Sequence, residues 1–284
     1  MSPSPFGSVD HERCKVMGIV NRTPDSFFDG GRMRLQDARE HALRLLEEGA
    51  DILDLGAVRA GPGDEVQEAE ELARLMPLVE ALVDATSAPI SVETSRPAVA
   101  RAAIDAGAAI INDVTALADP GLVEVCAETG AGLVLMHNGG QIRGRPRHPR
   151  YADVVGAVID CWKSLQGVAT AAGVQREQLV VDPGLDFGKN TFQSLELMRR
   201  LLELTDFGLP VLVAASRKDI VGETLNLGVE DRLEGSLALV ALSVLHGAAF
   251  VRVHDVAASV RTVRMVEAVM GRTRPAAPVR GLWE

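Results

Sequence analysis

The stretch Leu179-Val180-Val181-Asp182-Pro183-Gly184-Leu185-Asp186-Phe187-Gly188-Lys189 decides the fold. It opens on three apolar residues with no polar alternate, the pattern of a strand buried on both faces, as in a parallel sheet. The run ends on a carboxylate, Asp182, passes through a loop and gives way to a helical pattern over 194–204. The same unit recurs along the chain. Short apolar runs fall at 16–20, 52–55, 89–92, 110–111, 133–136, 179–181, 211–215 and 250–253, eight in all. Helical patterns fall at 38–48, 66–85, 98–106, 121–129, 154–172, 194–204, 233–246 and 257–270; in the second, Leu72, Leu75, Met76, Val79 and Leu82 recur at helical spacing. Gly49, Gly107, Gly130, Gly173 and Gly247 stand just past helix ends, where C-caps are expected. Alternation of strand and helix argues a parallel sheet. Eight such units, with no GxGxxG after any strand, predict an α/β single-domain (β/α)8 TIM barrel rather than an open doubly wound sheet.

The 284 residues suit one barrel, which typically needs about 250. The expected division is a flexible segment over 1–14, the barrel over 15–271 and a surface tail over 272–284. Aromatic residues make up only 4% of the chain against 47% hydrophobic, so the core must be aliphatic. A formal net charge of −10 makes the surface a poor nucleic-acid binder, and any anion site must be locally basic. Cys14, Cys126 and Cys161 form no CxxC pair, which points to a reducing compartment without a disulfide framework. The N-terminus has no apolar leader core and no run approaches a membrane span, so a cytoplasmic location with no membrane partner is expected.

Polar residues follow most of the strands: Asn21, Glu93, Asn112 with Asp113, His137, Asp182, Ser216-Arg217-Lys218 and His254, with Arg252 inside the last run. In a barrel these tips converge on one mouth. Any one of them alone reads first as a turn or capping residue, but for the set that reading weakens, because turns need no Lys, Arg or His. Asn21 could ligate a hard cation through its amide oxygen, or cap. Asp182 could accept the adjacent N–H donors of an amino-pyrimidinone edge, or hold its own loop. Lys218 could reach a ring acceptor or an anion. Arg252 and His254 share one face of their strand, and an Arg pointing into an apolar barrel needs an anionic partner, for which diphosphate is a candidate. The loop after the first run, Met17 to Gly31, has the length of a lid or binding loop. The basic stretch 143–150 reads as a solvated loop that could help hold an anion. No GxSxG, HExxH or Walker sequence appears, so neither a covalent nucleophile nor a zinc site is expected.

Together MGIVNRTPDSFFDGG (17–31), IINDV (110–114), VLMH (134–137), DPGLDFGK (182–189), ASRK (215–218) and RVHDV (252–256) resemble dihydropteroate synthase over nearly the whole chain. The chain looks closest to the divergent actinobacterial paralogues of that enzyme, which share Val279-Arg280-Gly281-Leu282. The resemblance implies condensation of 6-hydroxymethyl-7,8-dihydropterin diphosphate with p-aminobenzoate, an arylamine, with release of diphosphate, a Mg2+ cofactor and a homodimer. It implies that Asn112, Asp182 and Lys218 hold the pterin, that Met136 lines its pocket, and that Asn21, Arg252 and His254 hold the diphosphate and metal. Lys218, Arg252 and His254 are then the expected catalytic residues.

Departures from the family concentrate at the second substrate. The family's GGESTRPG-like loop reads Gly56-Ala57-Val58-Arg59-Ala60-Gly61-Pro62-Gly63, with Ala60 and Gly61 where the family has Thr and Arg. Glu93 replaces a shorter Asp in a SIDT-like motif, and Arg22 precedes Thr-Pro-Asp-Ser where the family has Val. Three functions follow: a working synthase in which Arg22 or Arg59 supplies the missing cation, a pterin-binding paralogue without synthase activity, or a transferase with a different acceptor. A corrinoid-linked methyltransferase fits less well, since Arg252 and His254 are retained.

Overall fold

The structure is a computed structural model that describes residues 4–7, 13–21, 35–58, 66–140 and 150–280. Eight parallel strands form its centre: β1 Lys15–Asn21, β2 Ile52–Gly56, β3 Ile90–Glu93, β4 Ile110–Asp113, β5 Gly132–Met136, β6 Leu179–Asp182, β7 Leu212–Val213 and β8 Phe250–Val253. They neighbour one another in the order β6-β5-β4-β3-β2-β1-β8-β7. The ring is closed between β6 and β7 by one bridge, Val181 to Val211, with the Val181 N–H donating to the Pro210 carbonyl at 3.0 Å. The predicted (β/α)8 barrel is the observed architecture. The seventh run, expected over 211–215, is shortened to two ladder residues because its far side meets β6 only at that bridge.

Helices wrap the ring: α1 Leu35–Glu47, α2 Glu68–Val83, α3 Pro97–Asp105, α4 Gly121–Thr129, α5 Val154–Ala171, α6 Thr191–Arg199, α7 Leu201–Thr205, α8 Asp219–Leu225, α9 Leu233–Leu245 and α10 Val256–Val269. The pattern read as one helix over 194–204 is two, broken at Arg200, and α8 is an addition the periodicity does not announce. The glycines expected as caps do end helices. Gly107 shows why: its φ is +107° and a Cβ there would meet Val83 Cγ1 at 2.7 Å.

Two apolar layers result from strand alternation. Outward residues such as Val16, Val20, Leu53, Leu55 and Val92 pack under the helices. Inward residues, among them Met17, Ile52, Ile110, Val134, Val180, Leu212 and Phe250, fill the barrel. Phe6 joins this inner cluster, its ring centroid 5.6 Å from that of Phe250. Part of the segment expected to be flexible is therefore anchored, because the apolar barrel floor offers Phe6 a buried seat.

Candidate active site

Above the apolar filling, the inward positions turn polar. One rung of the sheet carries Asn21, Gly56, Glu93 and Asn112 on consecutive strands, and another pairs Met136 with Asp182. Alternation decides which polar tips face the mouth. Asn112 points inward, while Asp113 points out and accepts the Thr115 and Leu117 N–H groups at 2.9 and 2.6 Å, shaping the next turn.

The centre is Arg252, with 14% of its side chain exposed. Its Nε donates to Asp54 Oδ2 and its Nη2 to Glu93 Oε2, each at 2.6 Å. Asp54, with no exposed surface, also accepts Ser91 Oγ at 2.5 Å and Asn112 Nδ2 at 3.0 Å. The anionic partner that a strand-borne Arg demands is thus found within the chain. Buried charges must be matched even when no ligand is present. Asp54 was missed by reading strand tips; its signal is a carboxylate between Leu53 and Leu55, where an apolar strand has no use for one. Burial pushes Glu93 up to about 7, against the opposing pull of Arg252.

Asp182 accepts the Gly184 N–H at 2.7 Å. Burial raises its carboxyl, while Lys218 and then Arg252 pull it down. Lys218, at the start of α8, donates to the Leu185 carbonyl at 3.0 Å and lies 4.9 Å from the centre of the Phe187 ring. Burial lowers its ammonium, and Asp182 is the strongest opposing influence. Asp182, Lys218 and Arg252 therefore influence one another electrostatically at the strand ends. Burial, reinforced by Arg252, lowers His254 to about 4, so its imidazole is neutral at pH 7 and hydrogen-bonds through Nδ1 to Ser216 Oγ at 3.2 Å. Met136 is buried beside Asp182 on its rung.

Other basic residues have local tasks. Lys189 is buried and donates to the carbonyls of His137, Gly184 and Phe187 at 3.1, 2.8 and 2.8 Å, tying the loops after β5 and β6 together. Arg217 forms a two-pronged pair with Asp255, at 2.9 and 2.8 Å, which joins the segments after β7 and β8. Arg22, Arg59, Ala60 and Gly61 lie outside the described residues, as do 143–149 of the basic stretch.

Comparison with known proteins agrees with this geometry. Residues 17–254 match a family described as pterin binding enzyme. The chain is 48% identical over 281 residues to the inactive dihydropteroate synthase 2 of Mycobacterium leprae, covering 96% of this chain and 97% of that protein. It is 43% identical over 265 residues to the dihydropteroate synthase of Escherichia coli, covering 93% and 94%. The crystal structure of the Yersinia pestis dihydropteroate synthase with a sulfonamide drug superposes with a TM-score of 0.89 at 41% identity, covering 93% of this chain and 96% of that one.

Proposed function

This chain belongs to the pterin-binding enzymes and, within them, to the dihydropteroate synthase family, and from that premise we propose that its mouth binds a dihydropterin diphosphate and transfers the pterin's exocyclic methylene to an arylamine, with p-aminobenzoate the first acceptor to test. The observation that carries the reading is the placement of Asp182 at the end of β6, Arg252 inward on β8, and Lys218 after β7 with its ammonium on the Leu185 carbonyl in the loop that Asp182 opens. One carboxylate suits the donor edge of a pterin, and two cations suit its acceptor and anionic ends.

In this reading Asp182 accepts the pterin's N–H donors, Asn112 and Lys218 fix the ring, and Met136 lines its face. The amine lone pair attacks the methylene carbon as the C–O bond to diphosphate breaks. A C–N bond forms, the C–O electron pair leaves with diphosphate, and the amine proton passes to solvent. Arg252 and Lys218 stabilise charge developing on the leaving group. Neutral His254 serves as a hydrogen-bond partner there rather than as a cation. A single amide oxygen, Asn21 Oδ1, accords with Mg2+, an ion that keeps several waters and takes few protein oxygens beside substrate phosphates. Gly56, whose Cβ would stand 3.1 Å from Asn21 Oδ1, leaves that amide oxygen uncrowded. Asn21 would hold the ion, which when bound supplies positive charge to the leaving diphosphate.

A second reading, pterin binding without synthase turnover, is favoured by the charge count at the mouth. Among the described residues, Asp54, Glu93 and Asp182 face Lys218 and Arg252, and Arg252 is already engaged. The likeness to a protein named inactive accords with it.

Diphosphate release from a dihydropterin diphosphate with Mg2+ and a panel of arylamines, beside calorimetric pterin binding, separates the cases. Release with p-aminobenzoate supports the synthase, and release with another amine alone supports a different acceptor. Binding without release selects the second reading, and absence of pterin binding overturns all three.

The proposal extends to a homodimer in the cytoplasm. Phe192 on α6, Leu225 on α8 and Leu245 on α9 are exposed on helices that neighbour one another, which favours self-association. Cys14, Cys126 and Cys161 are free thiols, which suits a reducing compartment, and no helix among the described residues is long and apolar enough to cross a membrane.

A further inference from the structure

Arg252 sits where an anionic ligand at the mouth would meet it, yet its guanidinium is already held by two carboxylates that are not equivalent. Asp54 is bonded three ways, to Arg252, Ser91 and Asn112, and is part of the wall. Glu93 ends β3, and among the described residues its carboxylate is hydrogen-bonded to Arg252 alone. Its neighbour on the rung toward β1 is Gly56, which has no side chain to confine it. An anion drawn to Arg252 meets an N–H that Glu93 occupies and a second negative charge beside it.

We infer that Glu93 is an internal gate on the anion site: its carboxylate takes the Arg252 N–H that a phosphate-class anion needs, and such an anion enters by displacing Glu93 or by capturing it protonated. The inference deepens the proposed function and rests on that reading only for the anion's identity as diphosphate. Glu93 is a positioning residue in this scheme, since it acts through Arg252.

The proton is available near neutrality. Burial holds Glu93 at about 7. Among the described residues, the charged groups that act on it are Arg252 from β8, Asp54 from β2, Lys218 from the segment after β7 and Glu71 from α2. Asp54 and Glu71 raise its carboxyl further, while Arg252 and Lys218 lower it. Once protonated, the carboxyl donates a hydrogen bond to the anion instead of repelling it. Anion entry is therefore coupled to proton uptake and is favoured on the acid side of neutrality.

Sulfate and inorganic diphosphate are titrated calorimetrically into the full chain, in two buffers of different ionisation enthalpy. Sulfate does not titrate in this range, so it isolates the protein's own proton. From a group near neutrality, wild type is expected to bind sulfate about fivefold to tenfold more tightly at about pH 6.5 than at about pH 8, with uptake of a fraction of a proton. Glu93→Gln is expected to bind at both pH values at least as tightly as wild type does in acid, without that uptake. Glu93→Asp, whose shorter stem draws the carboxylate back from Arg252, is expected to gain affinity too, and it carries the comparison if the Gln variant does not fold. Unchanged affinity in the variants, the same pH dependence in variant and wild type, or no anion binding by either overturns the gate. Pterin binding on the same samples keeps the two ideas apart. Pterin bound without any Glu93 effect on anions sinks the gate and leaves the pterin reading, while gated anions without pterin affinity do the reverse.

Discussion

Gly184 runs against the backbone of His137: a Cβ at position 184 would lie 2.0 Å from the His137 carbonyl oxygen, and the Gly184 φ is +64°. Lys189 then binds the carbonyls of both residues. The loop that carries Asp182 is thus locked to the loop after β5 by a contact that only glycine permits. Gly184→Ala is expected to cost about 3 kcal/mol through combined strain and clash and to weaken pterin binding. Urea unfolding with an unchanged midpoint would show that the two loops are not interlocked.

Removing one side of the Arg252 cluster strands the other. Asp54→Ala leaves the buried guanidinium short of a partner, and a loss of about 3–5 kcal/mol is expected. Adding Arg252→Met should return much of that loss, because the uncompensated charge is gone. A double mutant no more stable than Asp54→Ala alone would mean that Asp54 stabilises the barrel by some route other than Arg252.

Acid should weaken the fold through its histidines. Burial, with Lys189 close by, holds His137 down at about 3, and its buried Nδ1 has no hydrogen-bond partner among the described residues. An unfolded histidine titrates at about 6.5. Between these values the unfolded state binds more protons, so stability falls as pH drops below about 6.5, by up to about 1.4 kcal/mol per unit from this residue. His137→Asn should lose less stability than wild type between about pH 7 and 4.5. Parallel urea midpoints for the two proteins across that window would contradict this.

Asp182→Ala and Lys218→Met should each reduce pterin affinity by tenfold or more, on the order of a lost charge-assisted hydrogen bond. Calorimetry against a reduced pterin reads the effect, with thermal unfolding as the check on folding. Retention of full affinity by both variants would move the pterin away from this mouth.

The barrel was legible in the sequence because its strands are dense apolar runs such as Leu133 to Met136, and because glycines end its helices. The polar rim was legible where an inward side chain sits at a strand end, as with Asp182 and Asn112. Asp54 was not, because it lies one inward step below the tip of β2, within an apolar strand. Who pairs with Arg252 could not be read either, since its partners are 198 and 159 positions away along the chain. Lys189, quoted within a motif, turned out to brace backbone carbonyls, a task that leaves no spacing pattern. The anchoring of Phe6 was hidden because a lone aromatic carries no period. The shortness of β7 reflects ring closure, which no local window contains.

The bridge between Val181 and Val211 makes the β6–β7 seam the thinnest weld in the hoop of strands. Asp182 stands immediately on one side of that weld, and Lys218 lies a few residues beyond the other. A molecule grasped by both side chains is a rivet across the joint, so the act of occupying the mouth also fastens the hoop where its own backbone fastens it least.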